Sequence, residues 1–409
     1  MRYEEAVDWL FSRFPSYQNL GSRAYKPSLN NALKLMFALG NPEQDLKLIH
    51  IAGTNGKGST SHILAALCQS HGLKTGIFTS PHLLDFRERI KIDGQKISKE
   101  KVIDWVEEQI PLLNLDFEPS FFELTFALAL SYFRDENCDI CIIETGLGGR
   151  LDATNVIQPV LTVITNIGLD HMNFLGDTRA LIAGEKAGII KPNTPTLIAQ
   201  RDIETEKVFK DKVKTVDAKL RWVDFNEYIP SDLLANYQQL NLNTAKQAFL
   251  WFANLQDISV STNLMDLALK NVAVRTDFHG RMELIQENPR VIVDAAHNAD
   301  GIRMLLSELK SLIYKRLFLI YGAANDKDLT EVFPLFPDDS HKYFAQFSNA
   351  RSRTTQEWEQ IASIHYSEYE VFKSPLAALN QAKDEADTQD LILVFGSFFL
   401  IGDLFENLQ

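Results

Sequence analysis

One stretch limits the possible folds of this chain more than any other. It reads KLIHIAGTNGKGSTSHILAALCQSHG, from Lys47 to Gly72. An apolar run ends at Ala52, a glycine-rich turn follows at Gly53-Thr54-Asn55-Gly56, and Lys57 opens a helical pattern that ends near Gly72. Strand, turn and helix in that order predict a phosphate cradle. Glycines allow close backbone approach, inward N–H groups meet anions, and the helix start favours negative charge. The candidate nucleotide contacts are therefore Gly53, Thr54, Asn55, Gly56, Lys57, Gly58, Ser59 and Thr60. The spacing is GxxGKGS, shorter than the common GxxxxGK[ST]. Gly58 stands where the common loop carries a metal-binding hydroxyl, so that hydroxyl has to come from elsewhere.

A cradle of this kind belongs in an α/β sheet, and the rest of the chain has the matching rhythm. KTGIFTS, CDICIIETG and LTVITNIG are strand-like, and FFELTFALALSYFRDE is helical. At RTDFHGR the pattern turns polar, then strand-like runs resume at MELI, RVIVDAAHN, RLFLIYGA, KYFAQF and LILVFGS. A length of 409 residues exceeds one ordinary core. The expectation is an N-terminal P-loop ATPase-like domain with a mostly parallel sheet, residues 1–275, and a smaller Rossmann-like α/β domain, residues 276–409. The formal net charge of -13 disfavours nucleic acid and anionic membranes as partners. Three cysteines suggest a reducing compartment without a disulfide framework. Cys138 and Cys141 read as core residues on opposite faces of one strand. LILVFGSFFLIG is too short to span a bilayer, and the start of the chain lacks a signal-peptide pattern. A cytoplasmic protein is expected.

Five motifs occur in order: AGTNGKGS, FTSPHLLDFRERIKIDG, ETGLGGRLDATN, ITNIGLDHMNFLG and EKAGIIK. Together they closely resemble the folylpolyglutamate synthase and dihydrofolate synthase family of the Mur ligase superfamily, over nearly the whole chain. Only about fifty residues precede the loop, too few for the UDP-binding domain of the cell-wall ligases. The resemblance implies an ATP-dependent ligase that adds L-glutamate to the γ-carboxylate of a tetrahydrofolate through an acyl phosphate. Glutamate addition to dihydropteroate, or both activities, is the alternative within the class. A non-ligating ATP-binding switch is the alternative outside it.

The resemblance also implies roles. Ser80, Glu144 and His171 match the ligands of two Mg²⁺ ions, with Ser59 a rival to Ser80. Lys186 matches a lysine that is carbamylated, although by itself it reads as a helix-surface residue. With Lys57 and His297 it completes the catalytic set. Asn241, Arg281 and Asp294 match nucleotide contacts. At two of these motifs the chain departs from the family form: Tyr237 replaces a His, and Ala295 and Ala299 replace Gly and Pro. Arg150, Asp152, Phe122 and Ser397 are candidate substrate contacts. Phe121 and Phe122 read first as core and second as stacking partners of a pteridine or benzoyl ring, Ser397 equally as a turn residue, and Arg87 and Arg89 as glutamyl-carboxylate partners or surface ion pairs. Folate or dihydropteroate and L-glutamate are the expected partners. A monomer that closes about a hinge near residues 276–280 is the expected working form.

Overall fold

In the computed structural model, which describes residues 1–13, 28–109, 117–225 and 227–408, the buried apolar run before the loop forms strand β1, Leu48–Ala52. β1 lies inside an eight-stranded sheet of order β4-β3-β2-β5-β1-β6-β7-β8. The other strands are β2 Thr75–Phe78, β3 Ile90–Ile92, β4 Gln95–Lys96, β5 Ile140–Glu144, β6 Leu161–Ile164, β7 Thr196–Ile198 and β8 Leu220–Trp222. The pairs β2–β5, β5–β1, β1–β6, β6–β7 and β7–β8 are parallel, while β2–β3 and β3–β4 are antiparallel. The chain leaves β1 towards β2 on one side and later returns to β6 on the other. The loop after β1 thus sits where strand order reverses, the position at which open α/β sheets bind ligands.

The second sheet has order β13-β12-β11-β14-β10-β9. Its strands are β9 Glu283–Glu287, β10 Arg290–Asp294, β11 Leu317–Tyr321, β12 His341–Ala345, β13 Glu370–Phe372 and β14 Leu391–Phe395. All its pairs are parallel except β9–β10. Both sheets fit the α/β class expected from sequence. β14 inserts between β10 and β11, which brings Asp294 level with Phe395.

The chain divides into two compact units. The first holds residues 1–82, 86–232 and 238–278; the second holds 83–85, 233–237 and 279–409. Helices cover the strands through apolar cores. The Phe121–Asp135 helix presents Leu124, Phe126, Ala127 and Phe133 to the first sheet's core. A capping box starts it: the Ser120 side chain and Glu123 N–H pair, as do Glu123 and Ser120 N–H. In the second unit Trp358, Tyr321, Phe344 and Phe395 pack together. Among the described residues no helix is long and apolar enough to cross a membrane.

Two sequence expectations need correction. Cys138 precedes β5, which starts at Ile140, instead of lying on it. Cys138 and Cys141 remain buried free thiols. Arg89 is no surface ion-pair residue. It is 3% exposed, its Nε donates to His82 Nδ1 at 2.8 Å, and its guanidinium lies over Phe121. Burial lowers its pKa to about 10.

Candidate active site

The loop is built by steric necessity at two glycines. Gly53 lies so close to β6 that an added Cβ would sit 1.8 Å from Thr165 Oγ1. Gly56 has φ +83°, and a Cβ there would meet Asn241 Oδ1 at 2.3 Å. Only glycine accepts that backbone against that neighbour. The Lys57–Ser70 helix begins at the next residue.

The residues after β6 clamp the loop from the side. Thr54 N–H donates to Asn166 O at 2.9 Å, and Asn55 N–H donates to Asn166 Oδ1 at 2.7 Å. Thr165 Oγ1 donates to Asn55 O at 2.7 Å, and Gly168 N–H donates to Thr54 Oγ1 at 3.0 Å. Sequence reasoning identified the TNIG segment as a motif but gave these residues no role, because such contacts join residues more than a hundred positions apart.

Two lysines converge on one carbonyl. Lys57 Nζ donates to Gly53 O at 3.2 Å and to Thr54 O at 3.3 Å. Lys186 Nζ donates to Gly53 O at 2.8 Å. Lys186 is no helix-surface residue; its burial is almost complete. That burial, with the nearby Lys57 charge, lowers its pKa to about 7 against the pull of Asp170 and Asp152. Much of this amine is therefore neutral near pH 7.

Glu144 ends β5 and is 4% exposed. Its Oε1 lies 3.9 Å from Lys57 Nζ, and its Oε2 accepts Ser80 N–H at 3.2 Å. A Cβ on Gly58 would point at this same Oε2, 3.6 Å away. The direction in which the common loop sends its hydroxyl is thus the direction from which Glu144 approaches.

Do these residues fit a divalent cation? Among the described residues no three His, Cys, Asp or Glu gather as a metal site. The carboxylate of Glu144, bonded to the main chain of Ser80, does supply hard oxygen chemistry. The Thr60 and Thr145 hydroxyls nearby in sequence are buried without a protein partner. A sparse oxygen set suits Mg²⁺, which keeps several waters and takes phosphate oxygens. His171 adopts a left-handed backbone with φ +53°; its N–H donates to Asp170 Oδ1 at 2.9 Å. Its imidazole Nε2 lies 3.8 Å from Asp170 Oδ2.

The predicted substrate contacts divide. Asp152 is buried, and its carboxylate accepts Leu147 N–H at 2.7 Å, Thr154 N–H at 3.0 Å and the Thr154 hydroxyl at 2.5 Å. In this geometry it anchors the glycine-rich loop. Arg150 pairs with Glu185 at 2.8 Å on the exposed side. Phe122 is partly buried and packs against Gly146 and Phe78. A groove of about 720 Å³ lined by Arg201, Arg221, Trp222, Gln247 and Trp251 lies at the β8 edge, and none of the predicted residues line it.

In the second unit, Asp294 ends β10 and Ser397 follows β14. Ser397 Oγ accepts Phe399 N–H at 3.1 Å, a helix-start contact. Phe398 organises its neighbours: the Arg281 guanidinium lies 4.8 Å from its ring and the His297 ring 5.9 Å. Sequence reasoning gave Phe398 no role. His297 Nδ1 lies 3.1 Å from Ala295 O. A carbonyl only accepts, so Nδ1 is the donor in this contact.

A phosphate loop, two converging lysines and a strand-end carboxylate define a nucleotide-dependent ligase of the Mur class, and the matches agree. Residues 51–273 match the Mur ligase middle domain, and residues 280–398 match the Mur ligase glutamate ligase domain. A dihydrofolate synthase/folylpolyglutamate synthase of Bacillus subtilis (strain 168) is 32% identical over 439 residues, covering 100% of this chain and 99% of the relative. A folylpolyglutamate synthase of Lacticaseibacillus casei is 33% identical over 358 residues, covering 80% of this chain and 81% of the relative. A crystal structure of a bifunctional folylpolyglutamate synthase/dihydrofolate synthase with Mn, AMPPNP and L-glutamate bound aligns with a TM-score of 0.85 at 26% identity, over 100% of this chain and 98% of that one. The chain belongs to the folylpolyglutamate synthase/dihydrofolate synthase family.

Proposed function

We infer that this protein is an ATP-dependent, ADP-forming ligase that joins L-glutamate to a folate carboxylate. The observation that carries the reading is the meeting of Lys57 and Lys186 at Gly53, with Glu144 facing Lys57. The acceptor carboxylate attacks the γ-phosphorus of ATP, ADP leaves, and an acyl phosphate forms. The glutamate amine then attacks the acyl carbon, loses a proton, and phosphate departs. Lys57 offsets the charge that grows on the transferring phosphoryl group. His297 Nε2 is the acceptor we assign to the amine proton.

Magnesium, when bound, would neutralise phosphoryl charge. We assign Glu144, Ser80 and His171 to hold it, with Ser59 the alternative hydroxyl. Manganese accompanies AMPPNP in the related bifunctional structure, which supports a divalent metal. The neutral amine of Lys186 is chemically ready to take up CO₂ as a carbamate and serve a second ion. Gly53 to Thr60, Asn241, Arg281 and Asp294 are assigned to the nucleotide. Arg150 and Phe122 are assigned to the folate, Asp152 to holding the loop beside it, and Ser397 to the glutamate side. We assign residues 1–275 to the nucleotide and folate domain and 276–409 to the ligase domain, in a monomer working in the cytoplasm.

A second reading, in which dihydropteroate is also a substrate, is supported by the bifunctional naming of the Bacillus subtilis relative and by an Escherichia coli relative's structure in complex with DHPP and ADP. The test is phosphate release from Mg-ATP and L-glutamate, run separately with tetrahydrofolate and dihydropteroate. Release with tetrahydrofolate alone identifies a polyglutamate synthase, and release with both a bifunctional enzyme. Release with dihydropteroate alone identifies a dihydrofolate synthase. Nucleotide binding without release in either case would replace the ligase reading with a non-ligating switch.

A further inference from the structure

Tyr237 directly precedes the Gln238–Leu255 helix, whose Asn241 rests against Gly56. Its hydroxyl donates to Asp294 Oδ2 at 2.6 Å. Met282 N–H donates to the same oxygen at 2.8 Å, and Ala296 N–H donates to Oδ1 at 2.7 Å. Asp294 is 2% exposed, so these donors replace water around a buried carboxylate. Met282 has φ +47°, a left-handed backbone that an L side chain rarely adopts. Such a conformation persists only where surrounding bonds hold it, and the bond to Asp294 is one of them. Arg281 sits between Gly280, φ +75°, and this strained residue, with its guanidinium over Phe398. The main chain that carries Tyr237 is itself held. Its N–H and the N–H of Asn236 donate to the two oxygens of Glu308 at 3.0 and 2.9 Å. Burial and the Asp294 charge raise the phenol's pKa, which keeps it a donor at any working pH.

We propose that Tyr237 is a positioning residue for the nucleotide: it fixes Asp294, Asp294 fixes the strained Met282 backbone, and that backbone aims Arg281. The proposal rests on the assignment of Arg281 and Asp294 to ATP made above. It gives Tyr237 a task that Phe, equal in shape, does not perform.

The test compares wild type and Y237F in calorimetric titration with Mg-AMPPNP, alongside steady-state ligation. The expected result is a loss of about tenfold in AMPPNP affinity, the scale of one bond to a charged acceptor. KM for ATP rises in step and KM for glutamate stays unchanged. In an R281A background the Y237F effect should fall below about twofold, because the two changes act through one chain. Asp294→Asn, which keeps the shape, should reproduce the loss. Unchanged affinity in Y237F, or the same loss with and without Arg281, overturns the inference even when wild type ligates. Weakened binding in Y237F together with no ligation by wild type leaves the inference standing and removes the ligase reading instead.

Discussion

Lys186 holds the most consequential titration in the molecule. Its pKa is about 7 in the folded state, against the ordinary lysine value of 10.5. Between those values the unfolded chain carries the extra proton, so this residue's contribution to stability rises with pH from 7 to 10.5. Below pH 7 the full cost of a buried cation applies. K186M is therefore expected to melt higher than wild type at pH 6, and thermal scans should find that margin shrinking by pH 9. Ligation by K186M should fall by about a hundredfold or more, the scale of one lost charge-stabilising group. If Lys186 is carbamylated, ¹³C-bicarbonate should give a carbamate carbon signal in wild type that is missing in K186R.

Gly56 and Gly58, two residues apart, should respond in opposite ways. G56A forces a Cβ against Asn241 at φ +83° and is expected to lose about 2 kcal/mol or more and nucleotide binding. G58S places its Cβ at ordinary contact distance, 3.6 Å from Glu144, and should melt within about 2 °C of wild type.

At the scale of elements, Asp232 accepts the first N–H groups of the short Val272–Thr276 helix: Val272 and Ala273 at 2.9 Å and Val274 at 3.4 Å. D232A should cost about 1–2 kcal/mol, as lost caps do, with KM values unchanged; a chemical melt read beside kinetics checks both. This cap also marks what sequence can and cannot disclose. The loop from Gly53 to Thr60 was legible because strand, glycines, lysine and helix are contiguous, and the apolar runs gave four of the eight strands of the first sheet and five of the six of the second. Glu144 was legible as a strand-end carboxylate. β13 was missed because Glu370–Phe372 is three residues long and only partly buried. The inward turn of Asp152, the burial of Arg89 and Lys186, and the place of Cys138 ahead of β5 depend on neighbours distant in sequence or on where a strand begins. No local pattern encodes them.

At the scale of the whole molecule, a ligand that binds only the folded state adds about 2.7 kcal/mol when present at a hundred times its Kd. Mg-AMPPNP at that excess should raise the melting temperature, and G56A should show no such rise. The path of the chain carries a further consequence. Leu83–Asp85 and Leu233–Tyr237 belong to the second unit although the segments around them belong to the first. Both N–H groups bonded to Glu308, the amide of Asn236 and the hydroxyl on Asp294 come from that second short stretch. Leu83 in turn lies so close to Gly402 that a Cβ there would be 2.3 Å from its carbonyl. The two halves are stitched, so the gene has no clean place to cut. A fragment starting at residue 279 would leave behind the thread that hydrogen-bonds its own buried carboxylates, and neither piece could be exchanged as a self-sufficient cassette.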